Sequence, residues 1–375
     1  MKRYLQDKII DDLKTKMVFL TGPRQVGKTY LAKSMLSEFV NSIYLNNDDI
    51  SDASVIRDRS WAADSGLIVL DEIHKMKNWK NFIKGTYDTK SASQSILVTG
   101  SARLDTFRRT GESLAGRYFM HRLNPISVKE LAGKMQPYEA VETLNKLGGF
   151  PEPFLSGSDE HAARWRMQYF TDIVRDDIMD FSRIHEMRAI RLMVEMLRKR
   201  VGSPVSFVTL AQDLQISPKT VHKYLDILES LHIVFTVRPF HKNIARAILK
   251  EPKVYFYDSG YVDSEEGIKL ENTVAVCLLK HCQFMQDTKG AEVGLHYIRT
   301  KDGREVDFAV VDKGVLKQLI EVKLSETKPG SGIKYFSGRA PGVQALQLVH
   351  NAKNNQDVQG IEIRKAGEWL LNLEA

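Results

Sequence analysis

The sequence predicts a multidomain α/β protein, and three observations carry that expectation. At 375 residues the chain exceeds what one hydrophobic core ordinarily serves, so two to three domains are expected. In the N-terminal third, short apolar runs fit for buried strands alternate with helical patterns, the order that builds a parallel sheet flanked by helices. In the C-terminal third, a helical stretch gives way to strand-like runs joined by tight-turn residues, a second α/β arrangement. Composition fits a globular protein, with 43% hydrophobic and 27% charged residues.

The opening "MKRYLQDKIIDDLK" patterns as an amphipathic helix with acids in it, unlike an export signal. No apolar run reaches the length of a membrane span, so a cytoplasmic protein without a membrane partner is expected. Cys277 and Cys282 are too few for a disulfide framework or a four-cysteine metal site and are expected in the core of one helix. The formal charge of +7 fits a polyanion partner and also many proteins without one.

"MVFLTGPRQVGKTYLAKSML" places a strand at Met17 to Leu20, a glycine-bounded loop, and a helix running to about Leu36. Gly22, Pro23, Arg24, Gln25, Val26, Gly27, Lys28 and Thr29 form a Walker A loop in its strand-loop-helix context, with Tyr30 following. Such a loop wraps phosphates with its N–H groups at the positive end of a helix; Lys28 meets the β and γ phosphates of ATP, and Thr29 ligates Mg2+. The competing reading is a chance Gly-rich turn, against which the flanking strand and helix argue.

"GLIVLDEIHKMKNW" reads as a Walker B strand ending in Asp71 and Glu72. Asp71 is expected in the magnesium shell with Thr29, and Glu72 to orient or deprotonate the attacking water, which implies hydrolysis. The competing reading is an acidic helix cap. His74 fits a loop or capping role as well as coupling to the nucleotide. A further strand at 95 to 99 ends in Thr99-Gly100-Ser101, where polar side chains could sense the γ phosphate. Arg103, Arg108, Arg109 and Arg117 follow, and one of them could reach a neighbouring subunit's nucleotide, while at least two of the four are expected to be surface charges or phosphate-independent ion pairs.

Past Pro137 the pattern turns helical. "GGFPEPF" is a Gly/Pro-punctuated joint, and 162 to 182 carries helix-spaced aromatic and aliphatic residues expected to form a packing face. From 205 to 240, a short helix at Thr209 to Leu214, a turn, Ser217 as N-cap, Pro218 at the first helical position and a helix to Leu231 make a helix-turn-helix. "HIVFTVRPF" then reads as a β wing. Lys219, Thr220, His222 and Lys223 stand where a recognition helix touches DNA, although winged helices also serve as packing modules.

The C-terminal region holds "IKLENTVAVCLLKHC", a helix bearing Glu271, then "GLHYIRT" as a strand, a turn at Lys301 to Gly303, and "REVDFAVVDKGVLKQLIEVKL". Asp312-Lys313-Gly314 is a hairpin signal between two apolar strands. Residues two apart on a strand share a face, so Glu321 and Lys323 point together, and Asp307 joins them if it lies across the hairpin. Two acids and a lysine in one place are either a metal site for phosphodiester chemistry or an ion pair at a sheet end. Gln286 to Ala291 carries no useful signal.

The runs "LTGPRQVGKTYL", "LIVLDEIH", "VTGSARL", "ESLAGRY", "LNPISVKEL", "GGFPEP", "YFYDSGY" and the "EVDF" and "EVK" pair together resemble the bacterial and archaeal AAA-type ATPases that carry a DUF4143 C-terminal region. The resemblance covers nearly the whole chain. It implies an α/β P-loop NTPase (AAA-type) core over 1–135, a helical lid or connector over 136–187, a winged helix-turn-helix over 188–245, and a restriction-endonuclease-like α/β domain over 246–375. It singles out Arg117, in the family's Gly-Arg motif, as the arginine acting in trans, with Arg103 behind it, and hence a dimer or ring. Helix, meander and EVK strand follow the order of nucleases of the PD-(D/E)xK type. In that chemistry Asp307 and Glu321 hold Mg2+, Lys323 stabilises charge or positions water, and Glu271 assists. The expected function is an ATP-hydrolysing protein acting on DNA, as an ATP-controlled nuclease in its strongest form. The rival is an ATP-driven regulatory switch whose C-terminal modules mediate protein contacts without cleavage.

Overall fold

The structure is a computed structural model that describes residues 1–100, 114–173, 184–240 and 251–375. The chain divides into two compact units, Met1–Asn124 and Pro125–Ala375.

In the first unit, α1 (Gln6–Leu13) leads into β1 (Met17–Thr21), α2 (Lys28–Ser34), β2 (Ile43–Asn46), α3 (Ile50–Asp58), β3 (Leu67–Asp71), α4 (Trp79–Thr89), β4 (Ser95–Thr99) and β5 (Tyr118–Arg122). The strands form a parallel sheet in the order β2-β3-β4-β1-β5. Every residue of β1 and β3 is buried, which is why both read as unbroken apolar runs rather than alternating ones. Phe19, Ile68, Leu70, Ile83, Ile96 and Val98 fill the core. The helix after the glycine loop stops at Ser34, before the expected Leu36, and a single 3-10 turn (Leu36–Glu38) follows. Asp71 lies level with Thr99 and Asn46, and Leu20 with Thr99, so the carboxyl ends of β1 to β4 line one edge. In open α/β sheets that edge is where ligands bind.

In the second unit, α5 (Pro137–Leu147), α6 (Pro151–Ser156), α7 (Asp159–Ile173), α8 (Ile184–Arg198), α9 (Phe207–Leu214) and α10 (Pro218–Ser230) precede β6 (Val234–Pro239) and β7 (Lys253–Phe256). Next come α11 (Glu266–Lys289), β8 (Val293–Arg299), β9 (Glu305–Asp312), β10 (Val315–Lys323), α12 (Ser331–Ser337), β11 (Gln344–Val349), β12 (Gln356–Val358), β13 (Ile361–Lys365) and α13 (Ala366–Leu371). Among the described residues the strands form one mixed sheet, β12-β13-β11-β10-β9-β8-β6-β7.

The "GGFPEP" and "YFYDSGY" segments meet. Gly148 has φ +76°, and a Cβ there would lie 1.5 Å from Asp258 Oδ1, so only glycine fits. Arg166 Nε donates to Asp258 Oδ2 at 2.9 Å, and the Tyr261 hydroxyl donates to the Arg166 carbonyl. On α7, Trp165 stacks on Tyr169 at 4.6 Å and both pack on Phe150. The rest of the expected packing stretch, 174 to 182, falls outside the described residues.

The helix-turn-helix forms with the expected Ser217 cap, which accepts from Thr220 N–H, and with Pro218 opening α10; Ser206, which accepts from Thr209 N–H, caps α9, whose first residue lies two before the expected start. The strand read as a wing pairs antiparallel with β7 and, at Arg238 and Pro239, parallel with β8, so it belongs to the sheet that carries the C-terminal acids. Helix α11 is longer than its apolar pattern indicates. It buries Cys277 and Cys282 and runs through Gln286 to Lys289, ending where Gly290 turns left-handed and its N–H returns to the Gln286 carbonyl. Lys313 (φ +49°) and Gly314 (φ +75°) form the two-residue turn between β9 and β10.

Candidate nucleotide site and C-terminal acidic centre

The glycine loop is built by backbone geometry. Gly22 has φ +138°, and a Cβ there would meet the Leu123 carbonyl oxygen at 2.3 Å. Gln25 (φ +57°) and Gly27 (φ +97°) are also left-handed, which turns successive N–H groups into the concavity an anion occupies. Pro23 and Val26 are buried, Arg24 is half-buried, and Gln25, Thr29 and Tyr30 are exposed. Arg3 braces the loop from the N-terminal segment, donating to the carbonyls of Val26 at 2.7 Å and Asn124 at 2.6 Å.

Lys28 is buried, and its Nζ donates to the carbonyls of Gly22 (3.0 Å) and Pro23 (2.6 Å). Thr29 Oγ1 donates to Asp71 Oδ2 at 2.8 Å, so the two residues expected to share magnesium touch directly. The same carboxylate accepts from the Tyr44 hydroxyl at 2.6 Å, and its Oδ1 accepts from Thr99 Oγ1 and, at 3.1 Å, from Glu72 N–H. Burial and Asp71 hold the Tyr44 phenol well above its usual range, so it stays a donor. Donors arranged this way around an acid at the strand end fit magnesium: Thr29 and Asp71 present hard oxygens side by side. Glu72 follows with φ +54°, its carboxyl raised above the usual range by burial, pulled back by Lys75 and pushed again by Asp71. His74 Nε2 lies 3.6 Å from Glu72 Oε2.

Arg117 makes a two-pronged contact with Asp88 of its own chain, Nε at 2.8 Å and Nη2 at 3.2 Å. Arg103, Arg108, Arg109 and Ser101 lie outside the described residues. On α10, Lys219 is exposed and Thr220 is half-buried with its hydroxyl against Ser217; His222 packs on Phe207 at 4.0 Å, and Lys223 pairs with Glu186 at 3.2 Å. Three of the four expected DNA-contacting side chains thus have partners in their own chain.

In the second unit, β9 and β10 pair with Ile320 opposite Phe308, and continuing that register sets Glu321 opposite Asp307. Lys323 Nζ lies 3.1 Å from Glu321 Oε1, as their shared strand face requires. Asp307 Oδ2 accepts from Val322 N–H at 2.9 Å. Burial and the charge of Asp307 raise the Glu321 carboxyl above its usual range, while Lys323 opposes the shift. Burial works against the Lys323 ammonium, but Glu321 outweighs it and holds it above its usual range.

Two residues the sequence does not single out complete the centre. Lys253, at the start of β7, is fully buried, with Nζ 2.7 Å from Glu305 Oε1, 3.4 Å from Glu271 Oε1 and 3.6 Å from Asp307 Oδ1. It also faces the Tyr297 ring at 5.6 Å. Glu305 stands two residues before Asp307, so the alternation that joins Glu321 to Lys323 would have found it; Lys253, in the apolar run "KVYF", leaves no such signal. Glu271 accepts from the Tyr255 hydroxyl at 2.7 Å, and burial with the nearby Asp307 charge pushes its carboxyl up to about 7 against the pull of Lys253. Of the expected metal set, Asp307 and Glu271 thus stand beside Lys253, and Glu321 beside Lys323. Among the described residues, no three His, Cys, Asp or Glu side chains come together as a group that could hold a metal ion. No helix among them is long and apolar enough to cross a membrane.

Comparison with known proteins fits this geometry. Residues 14–132 match the model of an AAA domain, 266–368 that of the domain of unknown function DUF4143, and 138–271 that of the domain of unknown function DUF8612. An uncharacterised protein of Mycobacterium tuberculosis is 29% identical over 254 residues, covering 67% of this chain and 56% of that protein. The chain thus spans little more than half of that relative. An uncharacterised protein of Methanocaldococcus jannaschii is 23% identical across 97% of this chain and 85% of its own length. Among solved structures, a RuvB variant of Thermotoga maritima aligns over 62% of this chain and 88% of its own at 16% identity, with a TM-score of 0.32. Pif1 from a Bacteroides species aligns over 42% and 48% at 13% identity, with a TM-score of 0.26. Likenesses this partial carry no argument. The family models do: the chain joins an AAA-type P-loop domain to a C-terminal DUF4143 region.

Proposed function

We propose that this AAA-type protein hydrolyses ATP at its glycine loop and uses the cycle to control how the second unit binds DNA. The carrying observation is the convergence of Lys28, Thr29 and Asp71 at the carboxyl edge of the parallel sheet. Lys28 is held on two loop carbonyls, poised to exchange them for phosphate oxygens. Thr29 and Asp71 would hold magnesium, which when bound neutralises charge on the phosphates. Glu72, with its carboxyl raised above the usual range by burial, is the residue to accept a proton from the attacking water. Tyr44 and Thr99 fix the rotamer of Asp71 by donating to both its oxygens.

The helix-turn-helix supports DNA as partner through exposed Lys219 at the start of α10 and the net positive charge of the chain. Binding, not cutting, is the proposed action. The rival reading, a regulatory switch acting through protein contacts, draws on the commitment of Lys223 to Glu186 and of His222 to Phe207. Two buried thiols, Cys277 and Cys282, agree with a reducing, cytoplasmic setting. A role for Arg117 in a neighbouring subunit requires it to leave Asp88, and forms part of this reading only for a dimer or ring.

The test is duplex DNA binding by the full chain at several salt concentrations, with and without ATP. Salt-dependent binding that ATP shifts, and whose salt slope Lys219→Ala reduces by about one, supports DNA as the partner. Hydrolysis without any DNA binding selects the rival.

A further inference from the structure

We infer that Lys253 is the resident cation of the C-terminal acidic centre, so that this centre is charge-balanced by lysines of the chain itself where a nuclease of similar layout would use a divalent ion. Three carboxyl groups, from Glu271 on α11 and from Glu305 and Asp307 on β9, converge on one ammonium within 2.7 to 3.6 Å. That ammonium is fully buried and tethered on β7. Glu321, the other acid expected to hold metal, has a lysine of its own, Lys323 at 3.1 Å. Each principal acid of the predicted metal pair is therefore claimed by a different lysine.

Charge and size favour the tethered occupant. A carboxylate removed from water must be paired or hydrogen-bonded, and here the lysines, the Tyr255 hydroxyl and the Val322 N–H do that work. Magnesium requires oxygens at about 2.0–2.1 Å in near-octahedral order, tighter than the ammonium contacts. A divalent ion entering among Glu271, Glu305 and Asp307 would have to displace an ammonium that is itself fully buried, although Glu305 and Asp307 reach solvent in part. One feature leans the other way: Glu321 Oε2 is buried and, among the described residues, accepts no hydrogen bond. An ion bridging that oxygen and Asp307 is the alternative the experiment must expose.

The inference is independent of ATP hydrolysis and of DNA binding. Its test is Mn2+ binding by the nucleotide-free full chain, followed by calorimetry and electron paramagnetic resonance, for the parent, Asp307→Asn, Lys253→Met and the double variant. The parent and Asp307→Asn are expected to bind Mn2+ alike, because Asp307 holds no metal while Lys253 is present. Lys253→Met should gain one Mn2+ per chain, and Asp307→Asn in that background should abolish the gain. Loss of a Mn2+ site in Asp307→Asn with Lys253 intact would overturn the inference, as would a folded Lys253→Met that gains none. Should Lys253→Met fail to fold, the comparison of parent with Asp307→Asn still decides.

Discussion

Replacing Lys253 with methionine tests the energetic side of the acidic centre. The stem of the lysine is matched by a side chain of similar length, but the ammonium that three carboxyl groups share is removed from a site with no exposure to water. Removing one partner of a buried charge set costs about 3–5 kcal/mol, and the lower end applies here because Glu305 keeps Arg299 at 3.2 Å and both Glu305 and Asp307 reach solvent in part. At 1.36 kcal/mol per tenfold that lower end, about 3 kcal/mol, corresponds to a loss of about 10²-fold in protection against local opening. Because the chain comprises two compact units, a local readout is preferable to a global melt: amide hydrogen exchange, by mass spectrometry, of peptides covering Glu305 to Lys323. Adding Asp307→Asn to Lys253→Met should restore part of the protection, because one unopposed acid disappears. Protection within about threefold of the parent in Lys253→Met, below roughly 1 kcal/mol, would refute the reasoning.

Two further outcomes follow from the carboxyl groups. Glu72→Gln should keep ATP binding while slowing hydrolysis by about 10²-fold or more, and in the parent the acid limb of the rate profile should lie above the ordinary carboxylate range, since burial raises Glu72. Steady-state hydrolysis against pH, with nucleotide binding measured separately, checks both. Glu271, pushed up to about 7 from an ordinary 4.5, stays protonated in the folded protein while the unfolded chain ionises. Stability relative to Glu271→Gln is therefore fully present below pH 4.5 and falls, by on the order of 3 kcal/mol, as pH rises toward 7. Urea denaturation of both proteins across that range measures it, and a flat difference would contradict the raised carboxyl.

Much of the fold and of the nucleotide site is legible in the sequence. The glycine loop and the acid-ended strand are local: their chemistry depends on residues adjacent in sequence, and the flanking periodicities fix strand and helix. The face shared by Glu321 and Lys323, the Ser217 and Pro218 cap and the Lys313-Gly314 turn are likewise properties of a few consecutive residues. What escaped reading depends on distant partners. Tyr44 matters because β2 lies beside β3, Arg3 because the N-terminal segment returns to the loop, and Lys253 because β7 brings it under Glu305 and Asp307. None of these pairings has a spacing in the sequence. The setting of the expected metal set escaped for the same reason, since the pattern of acids was visible and the buried lysine beside it was not.

Hydrolysis at the glycine loop is read by magnesium-dependent ATP turnover of the full chain beside Lys28→Ala. Turnover in the parent and a loss of about 10²-fold or more in Lys28→Ala is the predicted result. Turnover that is absent from the parent, or unchanged when Lys28 is removed, would contradict it.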